Sequence, residues 1–335
     1  AGGFRAVAWT DTVQGLMLFA GLWTAFFLIF GHPQVGGIEK VMTTLSSQEN
    51  ALTTLPGGGS FFNYQTWLAW TFLLITGVLA YPQQTCRYFA ARSPLVLKQT
   101  AQLMPVIASV TYFPTVMVGM AAAAVGLSLA NPDDVMPTML IEYTTPALAA
   151  ILGLGAIAAA LSTVDSILLV VGSIVTRDII QKFFKISDDQ TKLVVWSRYI
   201  IGIWVLLCFA LGLWRPTIIV IMSGFALRFI GIGLFIPLVA ALFWPRATTP
   251  AVLSGMVLGE IVGVLTTFVW PAPLGWDSIF WGLGTCLIAT VVVSYLTPAP
   301  DASIVKRFYD DVDQDLKALK ESGYQTPIAP ADVKL

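Results

Sequence analysis

The chain has 335 residues, of which 56% are hydrophobic and 11% charged, and its formal net charge is -1. Soluble domains carry about 25% charged residues, so this composition excludes a soluble globule and puts most of the chain in a bilayer. A charge this close to neutral offers no polyanion-binding surface and excludes nucleic acid as a partner class.

Eight apolar segments follow one another, at about 11–30, 66–85, 102–130, 146–176, 194–214, 217–244, 250–270 and 277–297. Each is long enough, or nearly so, to cross the hydrocarbon core as a helix. Between the first two lies a polar stretch with Ser46-Ser47-Gln48-Glu49-Asn50 and Pro56-Gly57-Gly58-Gly59-Ser60, read as an external loop with a short helix around Gly37–Leu45. Pro105, Pro114 and Pro237 fall inside segments, where membrane helices kink against their neighbours. The chain opens on Ala-Gly-Gly-Phe-Arg without an initiator Met and reads as a piece of something longer. After residue 298 the composition changes: Thr297-Pro298-Ala299-Pro300 stops the last segment, and Ile304 to Leu319 reads as a charged amphipathic helix on the cytoplasmic surface. A transmembrane part, 1–298, and a cytoplasmic tail, 299–335, are therefore expected.

Fifteen of the 18 Lys and Arg fall on one side of the membrane in this scheme, at the loops after the second, fourth, sixth and eighth segments and before the first. Only Lys40 and Arg215 fall on the other side, and Arg228 lies inside a segment. Positive residues stay cytoplasmic, so both ends of the chain are expected inside a multi-pass protein of the plasma membrane. Cys86, Cys208 and Cys286 have no CxxC spacing and read as helix-packing thiols. His32, between Gly31 and Pro33, has no zinc partners. No phosphate-binding loop, catalytic triad or metal-ligand cluster is found, so no enzyme and no organic cofactor is expected.

The fourth segment carries the chemistry. In Ala156-Ile157-Ala158-Ala159-Ala160-Leu161-Ser162-Thr163-Val164-Asp165-Ser166, the residues Ala159, Ser162, Thr163 and Ser166 share one helical face, with Asp165 about 60° from Ser162. Three hydroxyls and a carboxylate thus meet near mid-membrane. Hydroxyls alone would serve equally to bond back to carbonyls one turn earlier or to join neighbouring helices. An ionisable group there needs a wet cavity or a partner, and Asp165 in the same patch favours a site for a hard cation such as Na⁺.

Several stretches together resemble the solute:sodium symporter family. Gly2-Gly3-Phe4-Arg5-Ala6-Val7 with Trp9-Thr10-Asp11-Thr12-Val13-Gln14 resembles one of its signatures, and Pro82-Gln83-Gln84-Thr85-Cys86-Arg87-Tyr88-Phe89-Ala90-Ala91-Arg92-Ser93 a second. The Ala159–Ser166 stretch running to Arg177-Asp178-Ile179 is similar to the family's ion-binding helix. Leu242-Phe243-Trp244-Pro245-Arg246-Ala247-Thr248 is similar to a fourth, with Pro245 where Lys is usual. The resemblance implies an all-α membrane protein with the inverted-repeat, LeuT-like fold, of which this chain holds core helices five to ten and two extra helices, without the first four. It also implies a sodium-binding set of the Ala159 carbonyl and the Ser162 and Thr163 hydroxyls, and a second sodium site at Asp11, Ser162, Asp165 and Ser166. For Asp11 a helix N-cap at the start of the first segment is an equal alternative.

The fold implied by the resemblance puts the substrate between core helices, the sixth and tenth among them. On the sixth, Leu74-Ile75-Thr76-Gly77-Val78-Leu79-Ala80-Tyr81 offers only Thr76 and Tyr81 as polar contacts, too few for a sugar. On the tenth, Arg228 has the planar fork that holds a carboxylate, or is a structural ion pair with Asp165 or with an acid outside this chain. The opening motif is also similar to the pantothenate and monocarboxylate permease branch. The expected function is sodium-coupled import of a small organic anion by alternating access, with Na⁺ as coupling ion and the bilayer as surroundings. A transporter-like sensor and a channel are the alternatives.

Overall fold

The computed structural model describes residues 3–47, 63–91, 93–214 and 217–322. The Gly-rich stretch 56–60, Arg92, Arg215 and Lys334 lie outside them. Among the described residues seven helices are long and apolar enough to cross a membrane. They group into two compact units, Ala1–Thr53 with Pro105–Ile219 and Thr54–Met104 with Val220–Leu335.

In the first unit α1 (Gly3–Gly31) packs along α7 (Pro146–Ser173). The two backbones come close where glycine faces glycine. A Cβ added at Gly155 would lie 3.5 Å from the Met17 carbonyl and 4.0 Å from Gly21 Cα. Helix α7 begins as its sequence dictates: Pro146 occupies the first turn and the Thr145 hydroxyl accepts from Leu148 N at 3.4 Å. Beyond Ser173 it widens into a π stretch, Ile174–Phe183. Helix α2 (Gly37–Ser47) follows a turn at His32–Gly36, with the short helix expected there. Later come α5 (Pro94–Ala124), α6 (Val135–Tyr143) and α8 (Gln190–Trp214). The core of this unit gathers Phe26, Ile29, Val41 and Leu45 against Val118 and Met139, with Trp23 stacked on Phe113 at 6.1 Å. Since α1 starts at Gly3, Asp11 sits in its third turn, and the N-cap alternative for Asp11 is overturned.

In the second unit the expected span 66–85 is a shorter helix, α3 (Tyr64–Leu79), followed by a separate α4 (Pro82–Phe89). The break follows from Pro82, which forces Tyr81 out of the helical region, to φ -58 and ψ 120. Helix α9 (Ile219–Ile230) runs through a π turn, Gly231–Phe235, into α10 (Ile236–Phe243). Next, α11 (Thr249–Val264) and α12 (Ser278–Leu296) form an antiparallel hairpin whose contact is lined by small residues. Ile232, fully buried, fills the groove of Gly259, Gly263 and Gly282: an added Cβ would come within 3.2 Å of its side chain at Gly259, 2.8 Å at Gly263 and closer still at Gly282. Cys286 is buried in the same hairpin, whereas Cys86 and Cys208 are exposed, so only one of the three thiols packs as expected. The tail forms α13 (Ala302–Val305), a π turn at Lys306–Asp310 and α14 (Asp311–Glu321). Its start is capped by Asp301, whose carboxylate accepts from Ser303 N at 2.8 Å; that backbone bond holds the carboxyl below its usual range.

Candidate functional site

The hydroxyl face of α7 turns toward α1. The Ser166 hydroxyl, buried, donates to the Asp11 carboxylate at 3.4 Å, joining residues 155 apart in sequence. One turn earlier, Ser162 Oγ donates to the Ala159 carbonyl at 2.8 Å, and Thr163 Oγ1 approaches the same oxygen at 3.5 Å. Ser162 is half-buried and Thr163 exposed; Asp165 is half-buried on the neighbouring strip of α7. The structure thus brings Asp11 to Ser166, whereas the Ser162 and Thr163 bonds to Ala159 are the back-bonds to a carbonyl one turn earlier that helical hydroxyls make on their own.

This donor set is all oxygen, as a hard monovalent cation requires. The Ala159 carbonyl already accepts from two side chains. A hydroxyl that donates its proton keeps its lone pairs, so Ser162 and Thr163 can turn those to a cation by rotating at χ1. A cavity of about 320 Å³ lies between α1, α5, α6 and α7, with Ala159 and Gly155 in its wall. Its walls are almost wholly apolar; of the hydroxyl residues of α5 that line it, Thr111 donates to Ile107 O at 2.7 Å. Among the described residues no group of three His, Cys, Asp or Glu could hold a metal ion.

The residues expected to face the substrate all lie in the second unit. Arg228 is partly buried and makes a two-point contact with Asp277: Nε donates to Oδ1 at 3.1 Å and one terminal nitrogen to Oδ2 at 2.8 Å. Among the described residues the acid paired with Arg228 is thus Asp277, 49 residues on in the same unit. Asp277 is also the N-cap of α12, accepting from Ile279 N at 2.9 Å, and Ser278 beside it meets Thr267 of the α11 end at 2.9 Å. Thr76 is buried, and its hydroxyl donates to Phe72 O at 2.7 Å. It packs against Gly231, where an added Cβ would lie 2.6 Å from its oxygen. Tyr81 is half-buried at the α3–α4 break.

Two acids of this unit escaped the sequence reading. Asp277 sits in a loop that hydropathy marks only as a boundary, and the signal that could have found it is its place just before an apolar helix, the usual site of an N-cap. Glu260 is a carboxylate inside α11, and Oε1 lies 2.5 Å from where a Cβ on Gly233 of the π turn would be. Its Oε2 is buried with no hydrogen-bond partner among the described residues.

Comparison with known proteins agrees with this architecture. The chain is 26% identical over 259 residues to a sodium/pantothenate symporter of Haemophilus influenzae, a match covering 77% of this chain and 53% of that protein. It is 26% identical over 320 residues to a high-affinity proline transporter of Bacillus subtilis, covering 93% of this chain and 65% of that one. The chain thus spans about half to two thirds of the length of these relatives. Among solved structures it is similar to a Na⁺-coupled sialic acid symporter in a substrate-bound outward-open state, with TM-score 0.69 and 20% identity over 90% of this chain and 64% of that one. The fold is the all-helical, LeuT-like fold of sodium symporters, in a multi-pass integral membrane protein. The model of the Sodium:solute symporter family matches residues 1–259. With four motifs in order, an all-helical membrane fold and that match, this chain belongs to the sodium:solute symporter family.

Proposed function

We propose that the chain is part of a sodium-coupled secondary transporter that imports a small organic carboxylate by alternating access. In this reading residues 1–298 supply core helices five to ten (α1, α3, α5, α7, α8 and α9–α10) and two further helices, and 299–335 is a cytoplasmic tail. Both ends of the chain then face the cytoplasm, in keeping with the distribution of Lys and Arg. One sodium takes the Ala159 carbonyl and the Ser162 and Thr163 hydroxyls. A second takes Asp11, Ser162, Asp165 and Ser166.

The observation that carries the reading is the Ser166–Asp11 contact at 3.4 Å, which draws a carboxylate of α1 to the hydroxyl face of α7. A carboxylate and hydroxyls gathered at membrane depth are costly unless they serve an ion or one another. For the substrate, Arg228 uses two of its nitrogens on Asp277, and the third is left for a ligand carboxylate; Thr76 and Tyr81 are the polar side chains of the stretch Leu74–Tyr81. Two relatives are named for pantothenate and for proline, and both of those molecules carry a carboxylate.

The test is uptake by the full-length protein in vesicles. Ser162→Ala and Thr163→Ala raise the sodium concentration for half-maximal uptake, since an apolar cavity replaces neither oxygen. Acids compete with the substrate and their amides do not. Unchanged sodium dependence at normal abundance removes these hydroxyls from the ion site. Equal competition by the amides removes the carboxylate.

A further inference from the structure

The tail helix carries a feature that transport leaves unused. Ile304, Phe308, Val312 and Leu316 are all exposed and recur at strict four-residue spacing. In an α-helix each such step overshoots a full turn by about 40°, so the row would wind about 120° around the helix over three steps. The π turn at Lys306–Asp310 falls within this row. Its wider turn advances less per residue and takes back part of that drift. The four side chains therefore spread over less than the 120° of an uninterrupted α-helix, along one stripe.

One contact and one short link within the second unit fix where the tail helix lies. Tyr309 donates its hydroxyl to the Ala241 carbonyl at 2.8 Å, in the last turn of α10. Only the five residues Thr297 to Asp301 separate α12 from α13, a reach of at most about 17 Å. At the same end of the bundle Phe243 and Leu296 are 76% and 78% exposed, as the lipid-facing ends of spans are. Between Asp301 and Glu321 there are four basic and six acidic residues, so attraction to anionic lipid does not hold the helix down.

From these we infer that α13–α14 is an interfacial helix whose stripe of Ile304, Phe308, Val312 and Leu316 is embedded in the lipid at the end of α12, tethered to α10 through Tyr309. Its occupant is the headgroup–acyl boundary of the bilayer that holds the spans, and insertion is driven by apolar area rather than charge.

The experiment uses the full chain in lipid vesicles, with Cys86 and Cys208 replaced by serine and Cys286 left buried. Single cysteines at Ile304, Phe308, Val312 and Leu316, and on the far face at Arg307, Asp310, Gln314 and Lys317, are spin-labelled. Accessibility to oxygen and to a water-soluble nickel complex is then read at each. The stripe labels are expected to be rich in oxygen and shielded from nickel, and the far-face labels the reverse. Phe308→Asp is expected to raise nickel access severalfold at Ile304. Nickel access equal on both faces overturns the inference. So do stripe labels that are immobilised and shielded from both reagents, which would mean a protein partner or a second copy of the chain.

Discussion

Replacing Asp277 tests how α9 is bound to the α11–α12 hairpin. Its carboxylate does two jobs, pairing with Arg228 through two hydrogen bonds and capping α12 through Ile279 N. Asp277→Asn keeps an acceptor for the cap and removes the charge; Asp277→Ala removes both. Losing a cap costs about 1 kcal/mol. Breaking a buried ion pair by deleting one partner costs about 3–5 kcal/mol, because the other charge stays behind. Here the Arg228 and Asp277 side chains are 17% and 27% exposed, so water relieves part of the stranded charge and about 2–3 kcal/mol is the better figure. Asp277→Ala is therefore expected to lose about 3–4 kcal/mol, and Asp277→Asn about 1 kcal/mol less than that. The assay is reversible unfolding of the full-length protein in mixed micelles, with Arg228→Gln and the double variant Arg228→Gln with Asp277→Asn completing a cycle. The double variant should be more stable than the sum of the single losses implies, by about 1–3 kcal/mol. Additivity within about 0.5 kcal/mol would refute the pair as an energetic contact.

Two further outcomes follow from the packing. Gly282→Ala puts a methyl group where Ile232 already sits and should cost about 1–3 kcal/mol of stability, part of it recovered by Ile232→Val in the same chain; no recovery would mean that the clash is relieved elsewhere. Asp11→Asn should flatten the sodium activation curve of uptake while leaving abundance unchanged, and Ser166→Ala should do so less, because it removes a neutral oxygen and not a charge. An unaltered curve in Asp11→Asn would leave that carboxylate with a packing role only.

What the sequence made legible follows the reach of each signal. Long apolar runs and an Lys/Arg bias are local or summed properties, so α1, α5, α7, α8, α11 and α12 could be placed by counting. The face shared by Ala159, Ser162, Thr163 and Ser166 is a matter of helical angle alone, and it is the face on which the Asp11 contact occurs. The break at Tyr81 had its cause in Pro82 but was masked by the hydropathy of the residues around it. The partner of Arg228 was not legible, because Asp277 is 49 residues away in a polar boundary and nothing local links the two. The π turn at Gly231–Phe235 was missed for a related reason: two glycines in a helix announce weakness, but the turn is packed by residues far off in sequence, Thr76 and Gly77 of α3 against Gly231, and Gly259 and Gly263 of α11 with Gly282 of α12 around Ile232.

The early end of α3 has a consequence for the path of water. Its 16 residues rise only about 24 Å, short of the roughly 30 Å of hydrocarbon. At Ala80–Tyr81 the backbone leaves helical geometry, and α4 then begins with Pro82-Gln83-Gln84, side chains that no acyl chain would solvate. Irregular backbone is tolerated at membrane depth only where protein covers it or water reaches it. The elbow between α3 and α4 therefore needs either a covering of protein or a hydrated inlet at Tyr81, whose half-buried phenol lies where the apolar length of α3 gives way to polar side chains.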